Sequence, residues 1–436
     1  MSNQRPTDQI LPPEEATEQS PVQVLPPPSV RAIKWKQMFV ALTYPNYRLW
    51  FRGQIVSLFG TWMQTTAQGF LIYDLTHSAA YLGYVGFASG LPAWFLTLYG
   101  GVVADRLPRR MLMLATQSSM MTLAFVLALL TFLHVVQPWH ILVLAAGLGV
   151  ANAFDAPARQ AFVVELVSRE DLPNAIALNS AMFQTAMAVG PAVSGLTYAL
   201  FGPAWCFTIN GLTFIAVIVA LASMKLKPFV KRVQPKSALV ELKEGIHYAF
   251  SHRTIRAILG IIAVTSCFIA SLTTIIPAWA VTILGGDATT NGVLLSARGV
   301  GSLVGALTIA SLGRFKFKGK LLTVGTFAAP TILVIFALIR WLPLSLVFVL
   351  GIGTASMLIT NLANTLVQTL VPDTLRGRIM GVYSLTFFGF MPIGALWVGT
   401  VAQHFSEPIA LVANSVIALI FAGFVWKFIP EVRTAH

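Results

Sequence analysis

Residues 204–224 read AWCFTINGLTFIAVIVALASM, an uncharged apolar run, and Lys225 and Lys227 follow at once. A helix needs about 20 consecutive apolar residues to cross the hydrocarbon of a bilayer. In lipid only helices and closed barrels satisfy every backbone donor and acceptor. The run lacks the period-2 alternation of a barrel strand, so it reads as a transmembrane helix. Working outward, similar stretches lie at roughly 47–74, 78–104, 110–133, 139–166 and 172–201 before it. After it come 255–284, 289–313, 320–340, 343–371, 377–403 and 408–429. The expected fold class is all-α, a polytopic membrane protein of twelve transmembrane helices.

Composition agrees. The chain is 56% hydrophobic and 10% charged, with a mean hydropathy of +0.75, whereas a soluble domain carries about 25% charged residues. The net charge of +13 is explained by cations gathered in alternate gaps between spans. Arg106, Arg109, Arg110, Arg169, Lys225, Lys231, Arg314, Lys316, Arg376 and Arg378 fall in even-numbered gaps, and the odd-numbered gaps hold only Arg340. Cytoplasmic loops collect Lys and Arg, so both termini are expected in the cytoplasm and no nucleic-acid partner is needed. Cys206 and Cys267 sit in apolar segments and read as small core residues. A membrane-embedded enzyme would need His, Cys or several acids clustered at membrane depth. The histidines lie instead at span ends, in loops or in the tail, so no catalytic or metal site and no cofactor is expected.

The segment 225–254 is hydrophilic and divides the spans into two sets of six, 46–224 and 255–429, with a short tail at 430–436. Gly83, Ala88 and Gly90 match Gly292, Ala297 and Gly299 at one offset, the pattern of an internal repeat. Residues 1–45 are rich in Pro and Glu with few large apolar residues, which reads as a disordered cytoplasmic tail. They carry no apolar core of a signal peptide.

At the end of the second span, Gly101-Val102-Val103-Ala104-Asp105-Arg106-Leu107-Pro108-Arg109-Arg110 resembles the loop 2–3 signature of the major facilitator superfamily. Asp105 is a carboxylate able to face a helix N-terminus or a nearby Arg, and the start of the eleventh span near Arg376 and Arg378 is the expected partner of this gating loop. Pro108 stands where the family has Gly, and Gly313-Arg314-Phe315 in the second half lacks the Asp. In the fifth span, Gly190-Pro191-Ala192-Val193-Ser194-Gly195 resembles the Gly-Pro motif of the superfamily's exporters. Pro191 removes a backbone donor and Gly190 a side chain, which permits a bend and close packing. Arg48-Leu49-Trp50, Gly60-Thr61-Trp62-Met63-Gln64 and Asp155-Ala156-Pro157-Ala158-Arg159-Gln160 look like the transmembrane secretion effector branch, which includes siderophore and macrolide exporters. The resemblance implies two pseudo-symmetric six-helix bundles of the major facilitator fold, rocking around a central site.

Polar residues inside the spans mark where that site would lie. Thr61, Gln64, Thr65 and Gln68 share one face of the first span, Asn361, Asn364, Thr365 and Gln368 one face of the tenth, and Asn152, Asp155 and Arg159 one face of the fourth. Polar side chains facing lipid are costly, so these faces should turn toward protein or a wet cavity. The resemblance places the first, fourth, seventh and tenth helices around the cavity. The expected cavity residues are therefore Gln64, Gln68, Asn152, Thr274, Trp279, Asn361 and Asn364, with hydrogen bonding between helices as the alternative for each. Asp155 is the clearest carboxylate within a span. Burial raises and a neighbouring cation lowers a carboxyl group's proton affinity, so Asp155 reads either as a proton carrier or as a structural partner of Arg159. Arg298, in the middle of the eighth span, could pair with Asp155, attract an anionic substrate or meet helix carbonyls. The function expected is export of a small amphipathic molecule across a bacterial inner membrane by proton antiport, with uptake or a non-transporting receptor as alternatives. The expected partners are the substrate, protons and the bilayer, and a monomer is expected.

Overall fold

Proline opens the first turn of six long helices, where its missing N–H leaves no bond unmade and its fixed φ suits the helix. The computed structural model describes residues 39–226, 238–312 and 317–435. Among these, α1 spans Pro45–Thr76, α2 Ala79–Arg106, α3 Arg109–Phe132, α4 Pro138–Leu166, α5 Leu172–Phe201 and α6 Pro203–Ser223. In the second half α7 spans Arg253–Ile283, α8 Ala288–Leu312, α9 Lys318–Leu338, α10 Leu342–Leu370, α11 Asp373–His404 and α12 Glu407–Phe428. Each lies within a few residues of an expected span. Ten are long and apolar enough to cross a membrane, and α2, bent by 57° between Ala79–Thr97 and Tyr99–Arg106, makes an eleventh. The remaining helix, α1, is less apolar because Gln54, Ser57, Thr61, Gln64, Thr65 and Gln68 run along it.

The Pro-rich tail to residue 38, most of the linker cations including Lys231, and the Gly313-Arg314-Phe315 turn with Lys316 lie outside the described residues. Within the segment read as tail, Val40–Thr43 forms a 3-10 turn, and the Ala41 N–H donates to Asn174 Oδ1 at 3.0 Å. The linker contributes a helix, Ala238–Ser251, that packs on α11. α7 departs from α-helical geometry twice, with π turns at Thr265–Ile269 and Trp279–Ile283 on either side of Pro277.

The two sets of six pack by the same scheme. α2 lies on α4 and α3 on α4 and α6, just as α8 lies on α10 and α9 on α10 and α12. The most extensive contacts between the halves are α2 with α11 and α5 with α8, a pair that exchanges under a shift of six helices. The repeated glycines explain this. A Cβ on Gly83 would stand 2.8 Å from the Ala395 carbonyl, and one on Gly195 2.5 Å from the Ala288 carbonyl and 3.2 Å from Gly292 Cα. Gly83 and Gly292, matched in sequence, thus make equivalent approaches across the halves.

These approaches gather at the cation-poor end. There Leu71, Ile72 and Leu82 share one apolar cluster with Ile275, Ile276 and Trp279 of the second half, and Ser78 Oγ donates to Gln403 Oε1 at 2.7 Å. Toward the cation-rich end the first half keeps its own cluster around Trp50, Met113, Phe162 and Leu221. A Cβ on Gly101, Gly377 or Gly381 would meet nothing within 4 Å. The halves are closed at one end and parted at the other.

Candidate functional site

On α4, Asn152 is exposed, yet it lies on the opposite side of the helix from exposed Val143 and Val150. At 100° per residue, apolar Val143 and Val150 mark the lipid face and Asn152 the side turned to the other half. Asp155, one turn on, is only 1% exposed. Its Oδ1 accepts hydrogen bonds from Thr116 Oγ1 at 2.8 Å and Gln117 Nε2 at 3.0 Å, both on α3. Its Oδ2 has no hydrogen bond and stands 3.9 Å from Arg159 Nε. The carboxylate is therefore set between α3 and the axis-facing Arg159, and it makes no ion pair with Arg298.

α1 departs from its expected role. Gln64 is buried, and its Oε1 accepts from Asn210 Nδ2 of α6 at 2.6 Å. This bond joins two helices of one half, where the sequence reading expects Gln64 at a cavity. Gln68 is buried next to it. Thr65 is the exposed residue of that stripe, on the side of α1 opposite Val56. Gly69, one turn beyond Thr65, approaches Pro277 of α7, with 3.7 Å from an added Cβ to the Pro277 ring. Thr65 therefore faces the second half. The helical period identified the stripe but not which of its edges an asparagine on α6 would claim.

Trp279, the expected cavity aromatic, is packed between helices. It is 0% exposed, stacks on Phe336 of α9 at 4.6 Å and carries Arg340 5.5 Å above its ring. The π turn that begins at Trp279 adds a residue per turn and sets the indole toward α9, away from the axis. Thr274 remains between the halves, with its Oγ1 3.8 Å from the Cβ position of Gly86 on α2. On α10, Asn361 and Asn364 are half-buried, and Gln368 Nε2 donates to Asn364 Oδ1. Gln184 of α5 reaches Met357 Sδ of the same helix at 3.8 Å. Arg298 on α8 lies opposite lipid-facing Val300, Val304 and Leu307, and its Nε is buried without a hydrogen-bond partner.

The loop after α2 is tied into its own half. Arg109 meets Asp105 at 3.4 Å, Glu165 at 2.7 Å and the Ala161 carbonyl at 3.1 Å. Arg110 donates to the Ala222 and Met224 carbonyls, and Arg106 is exposed. The expected α11 cations are engaged elsewhere, Arg376 with Asp373 and Arg378 with Glu244 of the linker helix at 2.5 Å. Between the loop and the start of α11 lies the linker helix Ala238–Ser251, which touches both α2 and α11.

The Gly190-Pro191 motif packs α5 both on α1 of its own half and on α8 of the other. A Cβ on Gly190 would stand 2.7 Å from Trp62 Cβ of α1. Pro191 has no N–H to give the Met187 carbonyl, and that carbonyl faces Gly299 of α8, 2.5 Å from its Cβ position. The next donor, Ala192 N–H, bonds Ser296 Oγ at 2.8 Å. Thr116, Gln117, Asn210 and Ser296 were not legible as partners, since none belongs to a polar stripe like those of α1 and α10. No group of three or more His, Cys, Asp or Glu able to hold a metal occurs among the described residues.

Comparison with known proteins agrees with this architecture. The family model described as transmembrane secretion effector matches residues 37–434. The staphyloferrin A transporter of Staphylococcus aureus is 21% identical over 363 residues, covering 82% of this chain and 90% of its own length. The multidrug efflux pump Tap of Mycolicibacterium fortuitum is 25% identical over 385 residues, covering 86% and 93%. Among solved structures, an inward-facing, unoccupied bacterial homologue of the human lysosomal transporter Spinster superimposes with a TM-score of 0.69. It is 12% identical and covers 92% of this chain and 99% of that one, a likeness of fold.

Proposed function

The chain belongs to the transmembrane secretion effector family of membrane transporters, and from that premise we propose that it exports a small amphipathic organic molecule by alternating access. The observation that carries this reading is the asymmetry between the two ends. Glycine-mediated backbone approaches close the cation-poor end, while the polar faces bearing Thr65, Asn152 and Asn361 look toward a parted cation-rich end. Cation-rich loops belong in the cytoplasm, so the molecule would load from the cytoplasmic side of a bacterial inner membrane, with both termini inside. The names of the relatives put siderophores and drugs first among candidate substrates.

Asp155 is the proposed proton carrier. It is a buried carboxylate whose one cationic neighbour among the described residues, Arg159, stands at 3.9 Å, beyond hydrogen-bond distance, so that contact can exchange as the halves move. The test is substrate-driven proton movement in proteoliposomes. Asp155→Asn should abolish it while the protein stays folded, and unchanged coupling would remove Asp155 from the mechanism. Thr65 and Asn152, changed to Cys, should react with a water-soluble thiol reagent from the cation-rich side. Failure to label from either side would sink the transport reading itself.

A further inference from the structure

Arg298 is a guanidinium at membrane depth with no carboxylate within 4.0 Å among the described residues. It lies 14 residues from the end of α8 at Leu312 and ten from its start at Ala288, about 21 and 15 Å at 1.5 Å per residue. An arginine stem is too short to carry its charge to either interface by snorkelling. Its backbone is also held. Gly353 of α10 packs against the Arg298 carbonyl, and Gly299 against the Met187 carbonyl and Ala188 of α5. α8 cannot rotate to present the residue elsewhere without losing these approaches.

Charge burial at this depth is costly unless the group is paired or wet. The mid-membrane acid, Asp155, is already engaged by Thr116, Gln117 and Arg159. The residue as a whole is half-buried and faces away from lipid-exposed Val300 and Val304, so its outer nitrogens look into the space between the helices. Two turns outward on the same face, Asn291 is 0% exposed, and neither its Oδ1 nor its Nδ2 has a hydrogen-bond partner. A cation with unused donors thus stands on this face of α8, with a fully buried, unpartnered amide two turns beyond it. Among the described residues, Asp155 turned toward Arg159 leaves Arg298 without a balancing charge.

We propose that Arg298 anchors an anionic group of the transported molecule, a carboxylate, phosphate or ionised phenol. The inference rests on the export reading and narrows it to organic anions. A planar guanidinium recognises oxyanions through paired N–H donors in a way an ammonium does not.

Two xanthene dyes of similar shape and opposite charge, fluorescein and rhodamine 123, test this by fluorescence anisotropy on the purified full chain. Wild type should bind fluorescein saturably and more weakly as salt rises. Arg298→Gln should weaken that binding at least tenfold, about 1.4 kcal/mol, and leave rhodamine 123 unchanged or tighter. Arg298→Lys, which keeps charge but loses the fork, should fall between them and serves if the Gln variant does not fold. Removing an unpaired buried charge should leave the ligand-free melting temperature equal or higher. No saturable fluorescein binding by wild type, or equal binding by folded Arg298→Gln, overturns the proposal. Fluorescein binding without movement of either dye in proteoliposomes would sink the export reading and leave the anion site standing. Rhodamine transport without fluorescein binding would do the reverse.

Discussion

Asn210 of α6 donates its side-chain amide to Gln64 Oε1 of α1 at 2.6 Å, and both residues are buried. The bond sits where Gly60 lets α1 approach Thr213 and Asn210. It therefore joins two helices of the first half. Hydrogen bonds between membrane helices average about 0.6 kcal/mol and reach about 1.7. Gln64→Leu and Asn210→Leu should each lower thermal stability in detergent by about 1 kcal/mol, and the double variant should lose less than the sum. Substrate KM should be unchanged. A large rise in KM with normal stability would return Gln64 to the cavity.

The spans were readable because lipid leaves a helix no alternative to a long apolar run, and charge placement then fixed their grouping. The repeat was readable for a specific reason: Gly83 and Gly292 recur because each admits a neighbouring backbone across the halves. Asp155 was readable as the carboxylate inside a span. Its partners were not, because Thr116 and Gln117 are ordinary polar residues on α3 until the helices are packed. The surroundings of Gln64 and Trp279 were not readable either, for related reasons. A stripe defines a face, but a face has two edges, and in α7 the π turns break the period on which the reading relies.

The glycine approaches make a contrast between the two ends. At Gly195 an added methyl would stand 2.5 Å from the Ala288 carbonyl, closer than real Cβ atoms come, whereas at Gly101 or Gly381 it would meet nothing. Gly195→Ala should open the cation-poor end and populate a form open there, read as a longer spin-label distance between α5 and α8 and a several-fold loss of transport. Gly101→Ala and Gly381→Ala should leave the distance distribution of this parted form unchanged. Equal effects at both ends would mean that the glycines serve helix packing alone.

Ser78 and Gln403 provide a direct lock. Their side chains meet at 2.7 Å across the start of α2 and the end of α11. In a background with Cys206 and Cys267 replaced by Ala, Ser78→Cys with Gln403→Cys should be bridged by a short bis-methanethiosulfonate, which forms a disulfide to each thiol. Bridging should stop transport almost completely and leave cysteine labelling at Asn152 from the cation-rich side intact. Reduction should restore activity. Transport that continues through the bridged protein would mean that this end does not open during the cycle.

Trp279 gives a test of structural against functional burial. Its indole is stacked on Phe336 at 4.6 Å under Arg340, deep between α7 and α9, with no exposed surface. Replacing a buried aromatic by Ala removes its contacts and leaves a cavity, a loss of about 3–5 kcal/mol. Trp279→Ala should therefore lower the melting temperature in detergent by several degrees and cut the yield of folded protein. The fraction that folds should show unchanged substrate KM and unchanged proton coupling, because the indole does not face the axis. Trp279→Phe, which keeps the stack, should recover most of the stability. A KM that rises for Trp279→Phe at normal stability would contradict this and move the residue into the transport path.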